Sequence, residues 1–309
     1  MDALDTKQEP QVCDLCGCPS YQIFATRGRW GSRLTTVICQ ECGLVYSNPR
    51  PTEEENADFY HRRYWGMYKS QSEPNEKFFR RRLPKIKSML AEIAEHLRPG
   101  LRVLEIGSGA GALLWSIKRN CNDEGEFIGV EPHVGHAKFC RERKQLDVRS
   151  GLLEEVVPTL PKNNFDLVVM NHVLEHTVSP TKVFETVGRL LKPDGVFVVE
   201  VPNVNAPGSR LSHFFHVAHH FNFSPATLQH LATKTGYTVK RVNELDGDLP
   251  HTRLFGVFVN RRPKKSETNG TLRDDPQERS RALTSYESWY WRTLASLRKK
   301  FIHWQRQRG

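Results

Sequence analysis

Long apolar stretches are missing from this 309-residue chain, in which hydrophobic residues make up 38% and charged residues 26%. Runs such as Phe165–Met170 fall far short of the ~20 residues that a bilayer-spanning helix requires. The first ten residues have neither the cationic start nor the apolar stretch of a secretory leader, so the sequence predicts a cytoplasmic protein whose cysteines stay reduced. Charge of one sign is also short: 35 Asp and Glu face 45 Lys and Arg, a formal charge of +10. That excess suits anionic partners such as nucleotide-linked substrates, nucleic acid or a lipid surface, without choosing among them. Much of it lies in Arg80-Arg81-Arg82 and near the end of the chain, as solvated faces rather than a stripe through a catalytic core. The length suits one α/β core with a smaller module beside it, since domains run to ~100–200 residues.

Four of the seven cysteines fall as Cys13 and Cys16, then Cys39 and Cys42, each pair followed by a glycine, Gly17 or Gly43. Two such knuckles can set four thiolates tetrahedrally around Zn²⁺, with the glycines letting backbone amides approach the sulfurs. Four cysteine ligands leave no open position, which makes the expected site structural rather than catalytic. Cys18, beside the first knuckle, is expected to be a free thiol.

From Leu101 to Ala112 an aliphatic run breaks into Gly107, Ser108, Gly109 and Gly111 and then into a helical pattern. This is strand, tight turn and helix, a cradle that brings backbone close to a ligand at the helix N-terminus. The next apolar run ends in Glu131, where a carboxylate can accept both hydroxyls of a ribose. The glycine spacing also fits a nicotinamide enzyme, but Glu105 sits where a dinucleotide's pyrophosphate would be repelled and a cationic amino-acid group welcomed. Further on, Phe165–Met170 predicts a buried strand, Ser179 and Pro180 open a helix to Leu191, and Val196–Val201 predicts another strand. Ser224 and Pro225 open a helix to Gly236, and Tyr237–Glu244 and Leu254–Asn260 predict a terminal antiparallel pair.

In combination, Val103–Gly111, Gly129–Pro132 and Phe165–His176 resemble the successive motifs of class I S-adenosylmethionine-dependent methyltransferases, over roughly residues 99–262. The resemblance implies an α/β, Rossmann-like seven-stranded sheet. It also implies Glu105 near the methionine ammonium, Gly107, Ser108, Gly109 and Gly111 around the methionine portion, and Glu131 with Pro132 at the ribose. Leu152 stands where many relatives carry an Asp for the adenine, and Asn171 and His172 follow the strand that borders the cofactor. Glu175 and His176 are expected to shape the pocket beside it.

The cysteine pairs, the segment Cys42–Pro51, the aromatics Tyr60, Tyr64, Trp65 and Tyr68, and His219–Pro225 are similar to a bacterial group of zinc-ribbon methyltransferases. That group includes sugar C-methyltransferases and enzymes of surface polysaccharides. The likeness implies a sugar, nucleotide sugar or glycan acceptor, with His220 in the place of the proposed base and His219 where the relatives carry Glu. Histidine suits that task near neutral pH. The spacing His213, His216, His219 also allows a second metal if the segment is helical. The tyrosines form either a lid or a packed helix face.

The expected divisions are a zinc module over 1–50, a helical connector over 51–98 with one helix across Glu76–Leu97, the core over 99–262, a flexible linker over 263–280 and a basic amphipathic helix over 281–309. That last helix, with Trp289 and Trp304, suits an anionic membrane surface or a protein partner, or folds back on the core. Two other functions stay open: an RNA methyltransferase, disfavoured by the absence of an acceptor-base motif at Asn171 and His172, and a non-catalytic zinc-ribbon binding protein on a methyltransferase-like scaffold.

Overall fold

A computed structural model describes residues 9–64, 67, 74–246, 252–261 and 273–306, with side chains of the last helix as far as Thr293. The main sheet contains β4 (Leu101–Ile106), β5 (Gly125–Glu131), β6 (Asp147–Ser150), β7 (Phe165–Asn171), β8 (Leu191–Pro202), β10 (Thr238–Leu245) and β11 (Arg253–Val259). Its order is β10-β11-β8-β7-β4-β5-β6, with β6, β5, β4, β7 and β8 parallel and the β11 and β10 edge antiparallel. This is the α/β fold class expected from the sequence. Val103, Leu104, Val168, Val169, Val198 and Val199 are all fully buried, because helices cover both faces and the central strands must be apolar on both sides. β8 begins earlier than Val196, since Leu191 already pairs with Phe165.

Strand order reverses around β4, which lies between β5 and β7. In open α/β sheets such a switch point opens a crevice at the carboxyl ends of the strands. The helices that frame it start where the sequence says. Helix α1 (Ala112–Asn120) follows Gly111, helix α2 (Pro180–Leu190) is capped by the Ser179 hydroxyl, and helix α3 (Pro225–Lys234) by that of Ser224.

The segment before β4 is broken rather than one helix. It runs as Glu76–Arg82, a tight turn Leu83–Ile86, Lys87–Ile93 and another tight turn Ala94–His96. Pro84 has no N–H to give to the ladder and crowds the preceding turn. The segment still lays Phe79, Ile86, Met89 and Ile93 against Leu113 and Ile117 of α1.

A second sheet has the order β1 (Tyr21–Arg27), β2 (Arg33–Cys39), β3 (Val45–Ser47), β9 (Phe221–Asn222). Its fourth strand comes from the segment after β8: Val45 pairs with Asn222 and Tyr46 with Phe221. Cys13, Cys39, Cys42, Leu44 and Tyr46 share one hydrophobic cluster with Leu104, Val199 and Phe223.

Helix α4 (Pro276–Arg306) starts inside the stretch expected to be a linker, and Asp274 before it accepts a 2.5 Å hydrogen bond from the Ser224 hydroxyl. Asp274 also takes the guanidinium of Arg279, which is itself buried. Polar composition suggested a loose linker, but those polar groups are spent on specific partners; residues 263–272 lie outside the described set. Leu283 is 2% exposed and packs with Ile38, Val45, Phe214 and Phe215, so the first half of the helix folds back, while Trp289 and Trp291 stay exposed. Among the described residues, no helix is long and apolar enough to cross a membrane.

Leu283→Ala removes the apolar anchor of this docking and should destabilise the protein by about 2–4 kcal/mol. Urea denaturation followed by circular dichroism checks this; a midpoint equal to that of the unmodified chain would mean that the helix is not held there.

Candidate functional site

At the switch point the chain lines an open cavity of about 760 Å³. The glycine turn forms its floor. Gly107 adopts φ +77° with the Val173 side chain 2.3 Å from where a Cβ would stand, so any larger residue is strained twice over. Gly109, Glu131, Pro132, Leu152, Asn171 and His172 line the same cavity. Glu131 accepts from the N–H of Gly109 (2.7 Å) and of His133 (2.9 Å), which fixes an acidic group at the end of β5, where a ribose would meet it.

Glu105, Ser108 and Gly111 are not among the lining residues. Glu105 lies beneath the turn, 3% exposed, and its Oε2 accepts from the Leu114 N–H of α1 at 3.0 Å. Burial pushes its carboxyl well above the usual range, against the pull of that N–H. The Ser108 hydroxyl donates to the Glu105 carbonyl (3.3 Å), and Gly111 backs onto Leu146 and Cys140. These three shape the turn from below. A residue that sequence reasoning passed over does line the cavity: Arg82, the last of the three arginines. A run of like charge hides its one inward member, and the helical phase set by Phe79 is the signal that distinguishes it.

Above the glycine turn, imidazoles and carboxylates converge. His172, in the left-handed region at φ +54°, lies 3.2 Å from Glu175 and 3.3 Å from Glu200. Glu200 is held in turn by Arg253 at 2.9 Å. Burial works against a charge on His172, but its hydrogen bonds to the two carboxylates prevail and push it up to about 9. Glu175 is 1% exposed, and its Oε1 lies 3.8 Å from His176 Nε2 and 4.0 Å from His219 Nε2. His176 Nδ1 is within 2.6 Å of the Ala218 carbonyl, which fixes that nitrogen as a donor. Glu175, His176 and His219 therefore form a group whose ligand atoms lie within 4.8 Å of one another.

The two adjacent histidines separate. His219 lines the cavity with His176, His216, Tyr60 and Tyr64. His220 does not: it is 2% exposed, its Nε2 lies 3.0 Å from Asn56 Oδ1, and its own N–H donates to the Glu175 carbonyl. Burial brings its imidazole down to about 3. The expectation that His220 faces an acceptor is corrected by the strand it leads into, because successive side chains of extended backbone point to opposite sides. His219 is also held well below its usual range, first by burial and then by neighbouring His216. It is thus a neutral imidazole with a lone pair. The helical chelate over His213, His216 and His219 does not form, since the helix Leu211–Phe214 ends before His216. The Tyr60 and Tyr64 rings lie 4.9 Å apart, tilted by 35°, and meet the His176 ring edgewise, while Trp65 and Tyr68 lie outside the described residues.

The cysteine cluster stands apart. The sulfurs of Cys13, Cys16, Cys39 and Cys42 lie within 4.8 Å of one another, with Cys13 to Cys42 at 3.7 Å and Cys16 to Cys39 at 3.4 Å, and none forms a disulfide. Hydrogen bonds from Cys13 and Cys42 hold the Cys39 thiol far below its usual range, and the same bonds push Cys13 and Cys42 up. Four soft donors at this separation cannot all ionise without a cation among them.

A profile of the methyltransferase domain family matches residues 78–242. The chain belongs to that family. It is a class I S-adenosylmethionine-dependent methyltransferase domain. A ubiquinone biosynthesis O-methyltransferase of Bradyrhizobium diazoefficiens is 35% identical over 111 residues, 34% of this chain and 42% of that one. The enzyme of the same name from Rhodopseudomonas palustris is 32% identical over 111 residues, again 34% and 42%. The methyltransferase thus spans less than half the length of these curated relatives. Among solved structures, an S-adenosylmethionine-dependent methyltransferase from Mesorhizobium loti aligns at 16% identity and TM-score 0.47, covering 58% of this chain and 97% of that one. One from Aquifex aeolicus aligns at 16% and 0.46, covering 60% and 99%.

The His172 geometry sets a pH dependence. Its pKa rises on folding from ~6.5 to about 9, so its contribution to stability is complete below about pH 6.5 and is lost as pH climbs through about 9. Replacing His172 by Gln should flatten the fall in unfolding midpoint between those limits. Equal slopes for the two proteins would show that the imidazole is not charged by Glu175 and Glu200.

Proposed function

We propose that this methyltransferase moves the methyl of S-adenosylmethionine to a hydroxyl of a small, polar acceptor of the sugar or nucleotide-sugar class, with His219 as the base. The observation that carries this reading is the composition of the cavity beyond the glycine turn: Arg29, Asn56, Tyr60, Tyr64, Glu175, His176 and His219. Such a wall offers hydrogen bonds in several directions and two aromatic faces, which suits a polyhydroxylated acceptor better than an apolar one. The O-methyltransferase names of the relatives favour oxygen as the methylated atom.

Bound in the cradle, the cofactor supplies a methyl already activated on a positively charged sulfur. The chain's residues do the rest. Gly107 and Gly109 would admit the methionine portion, Glu131 would take the ribose hydroxyls, and Arg82, which lines the cavity and acts electrostatically on the buried Glu105 beneath it, would hold the methionine carboxylate. Pro132 and Leu152 give apolar contact for the base. The neutral His219 imidazole would take the proton of the acceptor hydroxyl as that oxygen receives the methyl group, the cofactor's sulfur leaving as the neutral thioether. Glu175, 4.0 Å from His219 Nε2, stabilises the imidazolium that results. Tyr60 and Tyr64 close the acceptor side.

We further propose that Cys13, Cys16, Cys39 and Cys42 hold one structural Zn²⁺. Asp14 inside the first knuckle accepts from the Ser179 hydroxyl (2.6 Å) and the Thr181 N–H (2.9 Å), so an ordered knuckle also braces the start of α2. Elemental analysis of the purified chain should give one zinc per molecule, reduced to a trace in Cys39→Ser/Cys42→Ser. Full metal content in that variant would refute the assignment.

His219→Ala should leave affinity for S-adenosylhomocysteine within about twofold while lowering turnover by ~10²–10⁴-fold, the range for removing a positioned acid–base group. The rate should rise with pH through the titration of His219 in the unmodified enzyme and lose that limb in the variant. A variant that keeps both the rate and the pH profile would remove His219 from the chemistry.

A further inference from the structure

The two halves of helix α4 differ in kind. In the first half Leu283 is buried, the Tyr286 hydroxyl donates to the Ser209 carbonyl (3.1 Å) and the Leu211 N–H donates to Glu287 Oε2 (2.7 Å). After Glu287 the hydrogen bonds of the described side chains run back along the helix itself. Trp291 Nε1 donates to Glu287 Oε1 (2.8 Å), Arg292 to the Ser288 carbonyl (3.2 Å) and the Thr293 hydroxyl to the Trp289 carbonyl (3.0 Å). Trp289 and Trp291 are 55% and 48% exposed. Two indoles left in water, on a helix already docked through its other residues, suit a boundary between water and an apolar phase.

The helix runs on to Arg306, about 28 Å past Glu287 at a rise of ~1.5 Å per residue. Leu283 and Tyr286 open a stripe that the sequence continues in steps of three or four residues, through Tyr290, Leu294, Leu297, Phe301 and Trp304. Positions so spaced share one helix face. Over the same stretch, from Ser288 to Arg306, the sequence carries Arg292, Arg298, Lys299, Lys300 and Arg306 and not one Asp or Glu. Helical phase places all five cations beside or behind the stripe and none on it.

We propose that the second half of α4 lies in the surface of an anionic phospholipid bilayer. Its stripe enters the acyl boundary, its cations meet headgroup phosphates, and Trp289 and Trp291 stand at the interface. Charge and apolar pattern together select this occupant. A second copy of the helix would bring only like charges together, and a nucleic acid would use the cations but leave the stripe in water. Among the described residues no helix is long and apolar enough to cross a membrane, so the contact is one of lying on the surface. The root of this contact is tied to the catalytic domain: Ser209, whose carbonyl receives the Tyr286 hydroxyl, lines the cofactor cavity.

The test is sedimentation of the full-length chain, its metal retained, with vesicles of phosphatidylcholine alone or of equal parts phosphatidylcholine and phosphatidylglycerol. The chain should sediment with the mixed vesicles, not with the neutral ones, and rising salt should release it. Arg298→Gln/Lys299→Gln/Lys300→Gln should weaken the binding by at least about tenfold, and Phe301→Ser/Trp304→Ser should weaken it too. The exchange Arg298→Lys/Lys299→Arg/Lys300→Arg should keep it, which separates charge from fold, and S-adenosylhomocysteine affinity should be equal in all four proteins. No sedimentation with the mixed vesicles, or equal sedimentation of the glutamine variant, overturns the proposal. Undiminished binding of the serine variant overturns it as well, because charge alone would then hold the chain. A dimer in light scattering that Phe301→Ser/Trp304→Ser dissociates, without vesicle binding, would overturn it in favour of a second copy. Tighter binding of single-stranded RNA through the same three cations would do so in favour of nucleic acid.

Discussion

The pairing of Val45 and Tyr46 with Asn222 and Phe221 is the contact on which the site depends. It makes a segment of the catalytic domain the last strand of the cysteine-bearing sheet. The Ser47 N–H donates to the His220 carbonyl at 2.9 Å, and the Ser47 hydroxyl reaches the His219 carbonyl at 3.3 Å. Two residues of strand are a weak ladder. The guanidinium of Arg50 therefore matters: it lies 5.2 Å from the Tyr46 ring and 5.1 Å from the Phe221 ring, clamping the pair from one face. Through this splint the His219 backbone is held by Ser47, 172 positions earlier in the chain.

Such an arrangement explains why chemically demanding groups can sit so close together. Glu175 and Glu200 are almost completely buried, and each keeps one oxygen without a hydrogen-bond partner among the described residues. Buried carboxylates of this kind are costly unless cations face them. His172 and Arg253 provide that compensation. The remaining histidines, His216 and His219, are driven neutral by burial. One site thus holds imidazole in both forms at the same pH, which a cluster of exposed histidines could not do.

Much of the fold was legible because local signals and global pattern agree. The glycine turn, Glu131, the serine and proline starts of α2 and α3, and the terminal strand pair all stand where local chemistry put them. The cysteine spacing likewise named four sulfurs that do converge. Legibility failed where the deciding contact lies far away in sequence. Whether His219 or His220 faces the cavity depends on the face that β9 presents after pairing with β3, and nothing within ten residues of either encodes that choice. The connector shows the opposite failure: Pro84 was visible, but apolar periodicity on both sides masked its effect. Arg82 was hidden among like neighbours, and the polar stretch around Asp274 resembled a linker because its partners, Ser224 and Arg279, are invisible to composition.

The fold-back of α4 sets an order of assembly. During synthesis, chains emerge from the ribosome N-terminus first, at ~5–20 residues per second. The cysteine-bearing strands and all seven strands of the main sheet are available before Leu283 appears, yet Ile38, Val45, Phe214 and Phe215 share one cluster with it. Until that residue arrives, the segment leading to His216 and His219 lacks one side of its packing. The imidazole face is thus fastened only after every strand of both sheets has emerged, so a nascent chain with its sheets complete still lacks a fixed His216 and His219.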